Sequence, residues 1–159
     1  MHIRALSIAL LLLVSLAVPW SVRAKDAPVS QPIVENHDGV PGVWLDGPDG
    51  FDIAAKMHLE TGKPLLVYVY TDWCPYCRKL NREILPHPEI QQCLSGFSRV
   101  KINAEEDPRA RELAHQLRIS GYPTLLVRQK GDLMMRPFPT IVKPERFLAA
   151  CRQEQGRTR

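Results

Sequence analysis

Cys74 and Cys77 stand three positions apart in "TDWCPYCRKL", residues 71–80. Two thiols at that spacing can close a small disulfide ring, supply half of a metal site, or staple a turn. A zinc site needs a second ligand pair, and Cys93, Cys151 and the five histidines are scattered without ligand spacing. Covalent c-type haem needs a histidine directly after the second cysteine, and Arg78 stands there. A bridge spanning two residues constrains little of an unfolded chain, so an inert staple would gain little. Thiol–disulfide exchange is the chemistry this pair suits best, with no metal and no cofactor required.

The elements around the pair sharpen its roles. "PLLVYVY" (64–70) is a short β-branched and aromatic run, apolar on both parities, which predicts a strand buried on both faces. After Cys74, Leu80, Ile84 and Leu85 recur at helical spacing. The pair therefore falls where a buried strand gives way to a helix, and sites in open α/β sheets favour the carboxyl ends of strands. Cys74 is expected among the unpaired N–H groups of the helix start, which favour thiolate over thiol and mark it as the attacking group. Cys77, one turn inside and less exposed, is the expected resolving thiol. Pro75 suits the first helical position, because the N–H it lacks would have had no partner there.

The remaining pattern sets the fold class. Residues 25–50 hold four prolines and four glycines and read as an irregular lead-in, with Val43-Trp44-Leu45 docking on the domain. A helix is expected from Asp49-Gly50 through Thr61, with Phe51, Ala54, Ala55, His58 and Leu59 along one face. "PEIQQCL" adds a turn or two of helix after Pro86, and "FSRVKIN" (97–103) reads as a second strand. "DPRARELAHQLRI" (107–119) predicts a helix capped by Asp107 with Pro108 at its first position. "TLLVRQ" and "LMMRPF" flank Lys130-Gly131-Asp132 as a hairpin, and "KPERFLAACRQ" (143–153) is a last amphipathic helix. Strands joined through a helix should run parallel. The expectation is an α/β domain of three layers with a mixed central β-sheet.

Three segments in order carry a family resemblance. "YTDWCPYCRKL" resembles the active-site segment of thioredoxin-fold proteins, "VKINAEEDP" (100–108) their second strand and following loop, and "ISGYPTLLV" (119–127) the segment holding their cis-proline. The resemblance covers roughly residues 64–131, and the thioredoxin-like domain is drawn at 51–155. It implies that Pro123 is cis beside the pair, and that Tyr122, Pro123 and Trp73 meet an extended substrate chain. It further implies exchange with exported disulfide-bearing proteins or a dedicated redox partner, such as a membrane thiol-reductant transporter. The reducing direction is favoured, because Trp73, Lys101 and the overall pattern resemble reducing members. The alternative is a non-catalytic module that binds peptides near Tyr122 and Pro123. Two departures stand out. Tyr68 occupies the position of the family's buried acid, six before the first cysteine, which leaves Lys101 without its usual partner. Asp72 could substitute, although a solvated loop acid is the plainer reading. Pro75-Tyr76 resembles the glutaredoxin dipeptide, with nothing else to suggest a glutathione site. Cys93 and Cys151 read as buried small hydrophobes; their helices share one side of the expected sheet, so a second disulfide stays open to geometry.

Compartment and charge complete the reading. Arg4, the uncharged apolar run Leu6 to Val18, Pro19, and small residues at Val22 and Ala24 match a secretory signal peptide, residues 1–24, cut after Ala24. The run is too short for a membrane span. Of the 21 Lys and Arg, Arg4 and Arg23 fall in that segment, which leaves 19 against 17 acids over 135 residues. That balance gives no case for nucleic acid and none for stable membrane insertion. A periplasmic or secreted monomer is expected, with residues 156–159 as a frayed basic tail.

Overall fold

The computed structural model describes residues 43–157. The expected signal peptide, its cleavage point and most of the lead-in lie outside the described residues, as do residues 158 and 159. Ten elements follow in chain order: β1 (Leu45–Asp46), α1 (Gly47–Thr61), β2 (Leu65–Tyr70), α2 (Pro75–Glu83), α3 (Pro88–Leu94), β3 (Ser98–Asn103), α4 (Pro108–Gln116), β4 (Thr124–Arg128), β5 (Arg136–Phe138) and α5 (Pro144–Arg157). The sheet order is β1-β3-β2-β4-β5. β1 and β2 both pair parallel with β3, while β2–β4 and β4–β5 are antiparallel. No helix among the described residues is long and apolar enough to cross a membrane.

The apolar run of β2 explains the layering. All six of its residues are buried, and alternate side chains enter opposite cores. Leu65, Val67 and Val69 meet Ala54 of α1 and Ala110 and Ala114 of α4. Leu66, Tyr68 and Tyr70 meet Leu80 of α2, Ile90, Cys93 and Leu94 of α3, and Phe147 and Cys151 of α5. The sheet is thus sandwiched between two helical layers, the mixed three-layer arrangement expected.

Several boundaries moved, each for a local reason. α1 starts at Gly47, because a proline early in a helix loses no hydrogen bond and Pro48 sits in its first turn. Its buried stripe is Gly47, Gly50, Ala54 and His58, so Leu59 falls off the stripe and is exposed. A Cβ on Gly50 would come within 3.0 Å of the Leu45 backbone, which is why the helix can lie so close to β1. Trp44 docks as expected and is buried, while Val43 is exposed. α4 ends at Gln116 rather than at residue 119, since Arg118 takes φ 56° and cannot continue a right-handed helix. Its Asp107 cap is as expected, accepting the Ala110 N–H at 2.8 Å. The last strand is shorter than "LMMRPF" suggested. Asp132 takes the Gln129 N–H and the Arg136 guanidinium, extending the turn and leaving Leu133 and Met134 exposed.

The end of the chain is not a frayed tail as far as Arg157. α5 runs that far, and its Glu154 is buried between Gln129, at 2.7 Å, and Arg136, at 3.0 Å. These charge-assisted bonds tie α5 to the β4–β5 hairpin. α5 is tied a second time. Cys93 of α3 and Cys151 of α5 form a disulfide, with Cα atoms 6.3 Å apart, in place of two separate thiols. The bridge closes a span of 58 residues, for which loop entropy sets a ceiling of about 4 kcal/mol. Replacing both cysteines by alanine should therefore lower the free energy of unfolding by about 2–4 kcal/mol in urea titration, leaving the far-ultraviolet spectrum of the native state intact.

Candidate active site

The chain leaves the sheet at Tyr70 and reaches α2 through Thr71, Asp72 and Trp73. Cys74 is the N-cap of α2, and its Sγ accepts the Cys77 N–H at 3.2 Å, with Pro75 in the first turn. Cysteine thereby takes the capping position more often held by serine or aspartate. Both thiols are free and both are buried. The expected contrast in exposure is absent: Cys74 retains 2% of its surface and Cys77 1%. What separates them is position, Cys74 at the helix terminus and Cys77 one turn inside against the core.

Electrostatics follow from that placement. Burial pushes the Cys77 thiol up to about 12, and the hydrogen-bonded sulfur of Cys74 pushes the same way. A backbone hydrogen bond with Thr71 and the Tyr68 hydroxyl oppose the rise without cancelling it. Tyr68, where the family resemblance led one to expect an acid, is held far above the ordinary phenol range by burial and then by Cys77. Its hydroxyl donates to Asn81 Oδ1 at 3.0 Å.

The neighbouring acids are engaged elsewhere. Asp72 is exposed, accepts Asn103 Nδ2 at 2.9 Å, and offers its backbone oxygen to Arg78 at 3.0 Å. It is a loop acid, as the plainer reading had it. Lys101 is the register neighbour of Tyr68, and its Nζ lies 3.7 Å from Asp46 of β1.

Above the thiols lies an aromatic rim. Trp73 is 61% exposed and donates its indole N–H to Glu105 at 2.8 Å. Its ring meets Tyr122 edge-on at 6.2 Å. The Tyr122-Pro123 bond is cis, as the resemblance implied. Tyr122 packs against both apolar cores, and its hydroxyl is raised by burial first and by Glu105 next. The structure thus gathers Trp73, Cys74, Cys77 and Tyr122, with Pro123 next along the chain. Sequence reasoning missed Glu105 and Asn81. Asn81 was findable, standing one turn beyond Cys77 on the inward face of α2. Among the described residues no cluster of His, Cys, Asp and Glu could hold a metal ion.

A mixed sheet with a cis-proline loop beside a Cys-x-x-Cys helix start defines a thioredoxin fold with a dithiol site. The chain belongs to the thioredoxin-like domain family, whose model matches residues 51–155. Thiol:disulfide interchange protein DsbD 1 of Pseudomonas aeruginosa is 30% identical over 110 residues, covering 65% of this chain and 19% of that protein. Human protein disulfide-isomerase A2 is 29% identical over 129 residues, covering 80% and 23%. The chain therefore spans less than a quarter of the length of either relative. Among solved structures, the oxidised DsbD C-terminal domain of Neisseria meningitidis superposes with TM-score 0.60 at 21% identity, covering 70% of this chain and 99% of that one. A thioredoxin from Thermus thermophilus gives 0.56 at 23%, covering 69% and 85%. These two show the fold.

These raised pKa values carry a stability consequence. Where the folded thiol holds its proton and the unfolded one has lost it, stability falls with rising pH. For Cys77 that window opens near 9 and closes near 12, and Tyr68 acts in the same direction at its upper end. The melting temperature of the reduced protein should therefore decline between pH 9 and 11. Cys77→Ala should flatten the early part of that decline in a calorimetric pH series.

Proposed function

We propose that the chain is an exported thiol:disulfide oxidoreductase that reduces disulfides of other exported proteins, or of a dedicated redox partner, through Cys74 and Cys77. The observation that carries this reading is the capped pair itself: Cys74 Sγ on the Cys77 N–H at 3.2 Å, at the mouth of a helix and under an aromatic rim. Cys74, as thiolate, attacks one sulfur of a client disulfide. The client's S–S bond breaks, its second sulfur leaves and takes a proton, and a mixed disulfide at Cys74 remains. Cys77 then loses its proton and attacks Cys74 Sγ. The client's first sulfur departs with the electron pair and is protonated. The client gains two electrons, and the Cys74–Cys77 pair becomes a disulfide.

Trp73, Tyr122 and Pro123 are read as the surface that meets the client. Trp73 and Tyr76 keep about three-fifths of their surface open, and Tyr122 offers backbone groups next to the cis bond. The names of the DsbD and protein disulfide-isomerase relatives speak of interchange and isomerisation, which agrees with exchange chemistry in either direction. The reducing direction rests on the likeness of the Trp73 segment to reducing members. It rests also on the stretch from Cys77 to Pro123, which holds only the rest of α2, α3, β3, α4 and their loops. Oxidising members of the superfamily usually carry an inserted helical domain there.

Export is supported by the signal-like residues 1–24 and by Cys93–Cys151, since disulfides persist outside the reducing cytosol. We read the exported form as a monomer in the periplasm or beyond, with a membrane thiol-reductant transporter as its electron source.

Insulin reduction under dithiothreitol tests the reading. Wild type should accelerate precipitation of the insulin B chain, and Cys74→Ser should fall to the uncatalysed rate. Cys77→Ala should accumulate a mixed disulfide with its client, visible on non-reducing gels. If Cys74→Ser matches wild type, the fold serves binding and the cysteines are vestigial. A reduction potential near that of thioredoxin, about −270 mV, would agree with a reductant, and one near about −120 mV would reverse the direction.

A further inference from the structure

Two buried polar side chains behind the cysteine pair have no part in the exchange as written above. Tyr68 lies in the middle of β2 with no exposed surface, and Asn81 is buried on α2, one turn past Cys77. The Tyr68 hydroxyl donates to Asn81 Oδ1 at 3.0 Å, and Tyr68 shares one buried cluster with Cys74 and Cys77, near enough that Tyr68 and Cys77 bear on each other's hold on the proton. The ring cannot drift. It stacks on Tyr70 at 5.2 Å and meets Trp44 edge-on at 6.1 Å. A phenylalanine would fill this space without placing a hydroxyl in the core, where a polar group must find partners. An apolar pair of similar shape would serve stability about as well. What the polar pair adds is a hydroxyl within the buried cluster that holds Cys77.

We propose that Tyr68 is an uncharged hydrogen-bond donor to Cys77 during the resolving step, with Asn81 as the residue that positions its hydroxyl. The proposal rests on the exchange reading and names the residues that serve its second half. In the mixed disulfide, charge develops on Cys77 Sγ as its proton leaves and it attacks Cys74. The Tyr68 O–H swings from Asn81 Oδ1 to that sulfur, because a hydrogen bond to a charged acceptor is the stronger one. Tyr68 keeps its own proton throughout, so it donates and never acts as base. The proton of Cys77 ends on the departing client sulfur.

The surroundings leave this role to the hydroxyl. The titratable groups that bear on it are Cys74, Cys77 and Tyr70. Across the strand pair, Lys101 is bound to Asp46 and Arg99 stacks over Trp44. On α2, Arg78, Lys79, Arg82 and Glu83 are exposed, as are His87 and Glu89 around the start of α3, and Glu154 of α5 is held by Arg136. Asp72 and Glu105 are engaged by Asn103 and Trp73.

Reaction with 5,5′-dithiobis(2-nitrobenzoate) separates the two halves. Attack by Cys74 releases one thionitrobenzoate, and attack by Cys77 on the resulting mixed disulfide releases a second. Tyr68→Phe should leave the first phase within about twofold of wild type and slow the second about ten- to a hundredfold, the worth of a hydrogen bond to a charged group. Asn81→Asp is nearly isosteric and covers the case in which Tyr68→Phe does not fold. Its carboxylate should hold the hydroxyl and oppose the charge forming on Cys77. The second phase should then slow as pH rises through a new inflection between about pH 4 and 8, absent from wild type. Wild-type second phases in the folded variants, or equal slowing of both phases, would overturn the proposal. A wild-type protein that fails to reduce insulin defeats the exchange reading and this proposal together. Active wild type with unaltered second phases defeats this proposal alone.

Discussion

The structure depends on the burial of β2 from both sides. A strand with one wet face would have alternated polar and apolar residues, and the chain would have needed one helical layer. Six buried residues in a row demand two. That demand recruits α1 and α4 to one face and α2, α3 and α5 to the other. It also fixes where chemistry can occur. A strand covered on both faces opens only at its ends, and at the carboxyl end of β2 three loop residues lead straight into the Cys74 cap. The pair is therefore held at the end of the most deeply buried strand of the sheet.

Several buried polar groups in this core tie neighbouring segments together. His58 donates to the Lys63 carbonyl at 2.6 Å, which closes the α1–β2 turn. Glu154 joins Gln129 and Arg136 and so locks α5 onto the hairpin. Lys101 reaches Asp46 and pins the short edge strand β1 beside β3. Each joins two elements that apolar packing alone would leave free to slide. Tyr68 and Asn81 differ, because β2 and α2 are already fixed by Leu66 and Leu80 in the shared core. Their polarity places a hydroxyl in the same buried cluster as Cys77.

Much of this was legible in the sequence. The both-parity apolar run gave the central strand, the Pro and Asp caps gave the helix starts of α2 and α4, and the order of the three family-like segments gave the topology. The misses share a cause. Leu59 and Leu133 were assigned by residue type, but exposure is decided by which stripe or turn tertiary contacts select. α5 runs past residue 153 because Glu154 meets Gln129 and Arg136, twenty-five and eighteen positions earlier. Asn81 could be placed on the inward face of α2, but its partner, a hydroxyl thirteen residues upstream, could not. Partnerships between distant side chains leave no periodicity to read.

Two cysteine pairs share one apolar cluster, and loop length assigns them different work. Opening Cys93–Cys151 would return a span of 58 residues to the unfolded ensemble's freedom and would unfasten α3 from α5. Opening a Cys74–Cys77 bridge releases two intervening residues within one helical turn, so folding stability hardly depends on it. A pair meant to cycle should sit where the fold is indifferent to its state. A pair meant to hold should sit where the fold is most sensitive. The helix start supplies the first condition, because α2 is anchored by Leu80 whether or not the sulfurs are joined. α3 and α5 supply the second: beside the apolar cluster and the disulfide, the Gln155 side chain on the Cys93 carbonyl joins them. Under the proposed reading, exchange at one end of the layer would proceed without loosening the other.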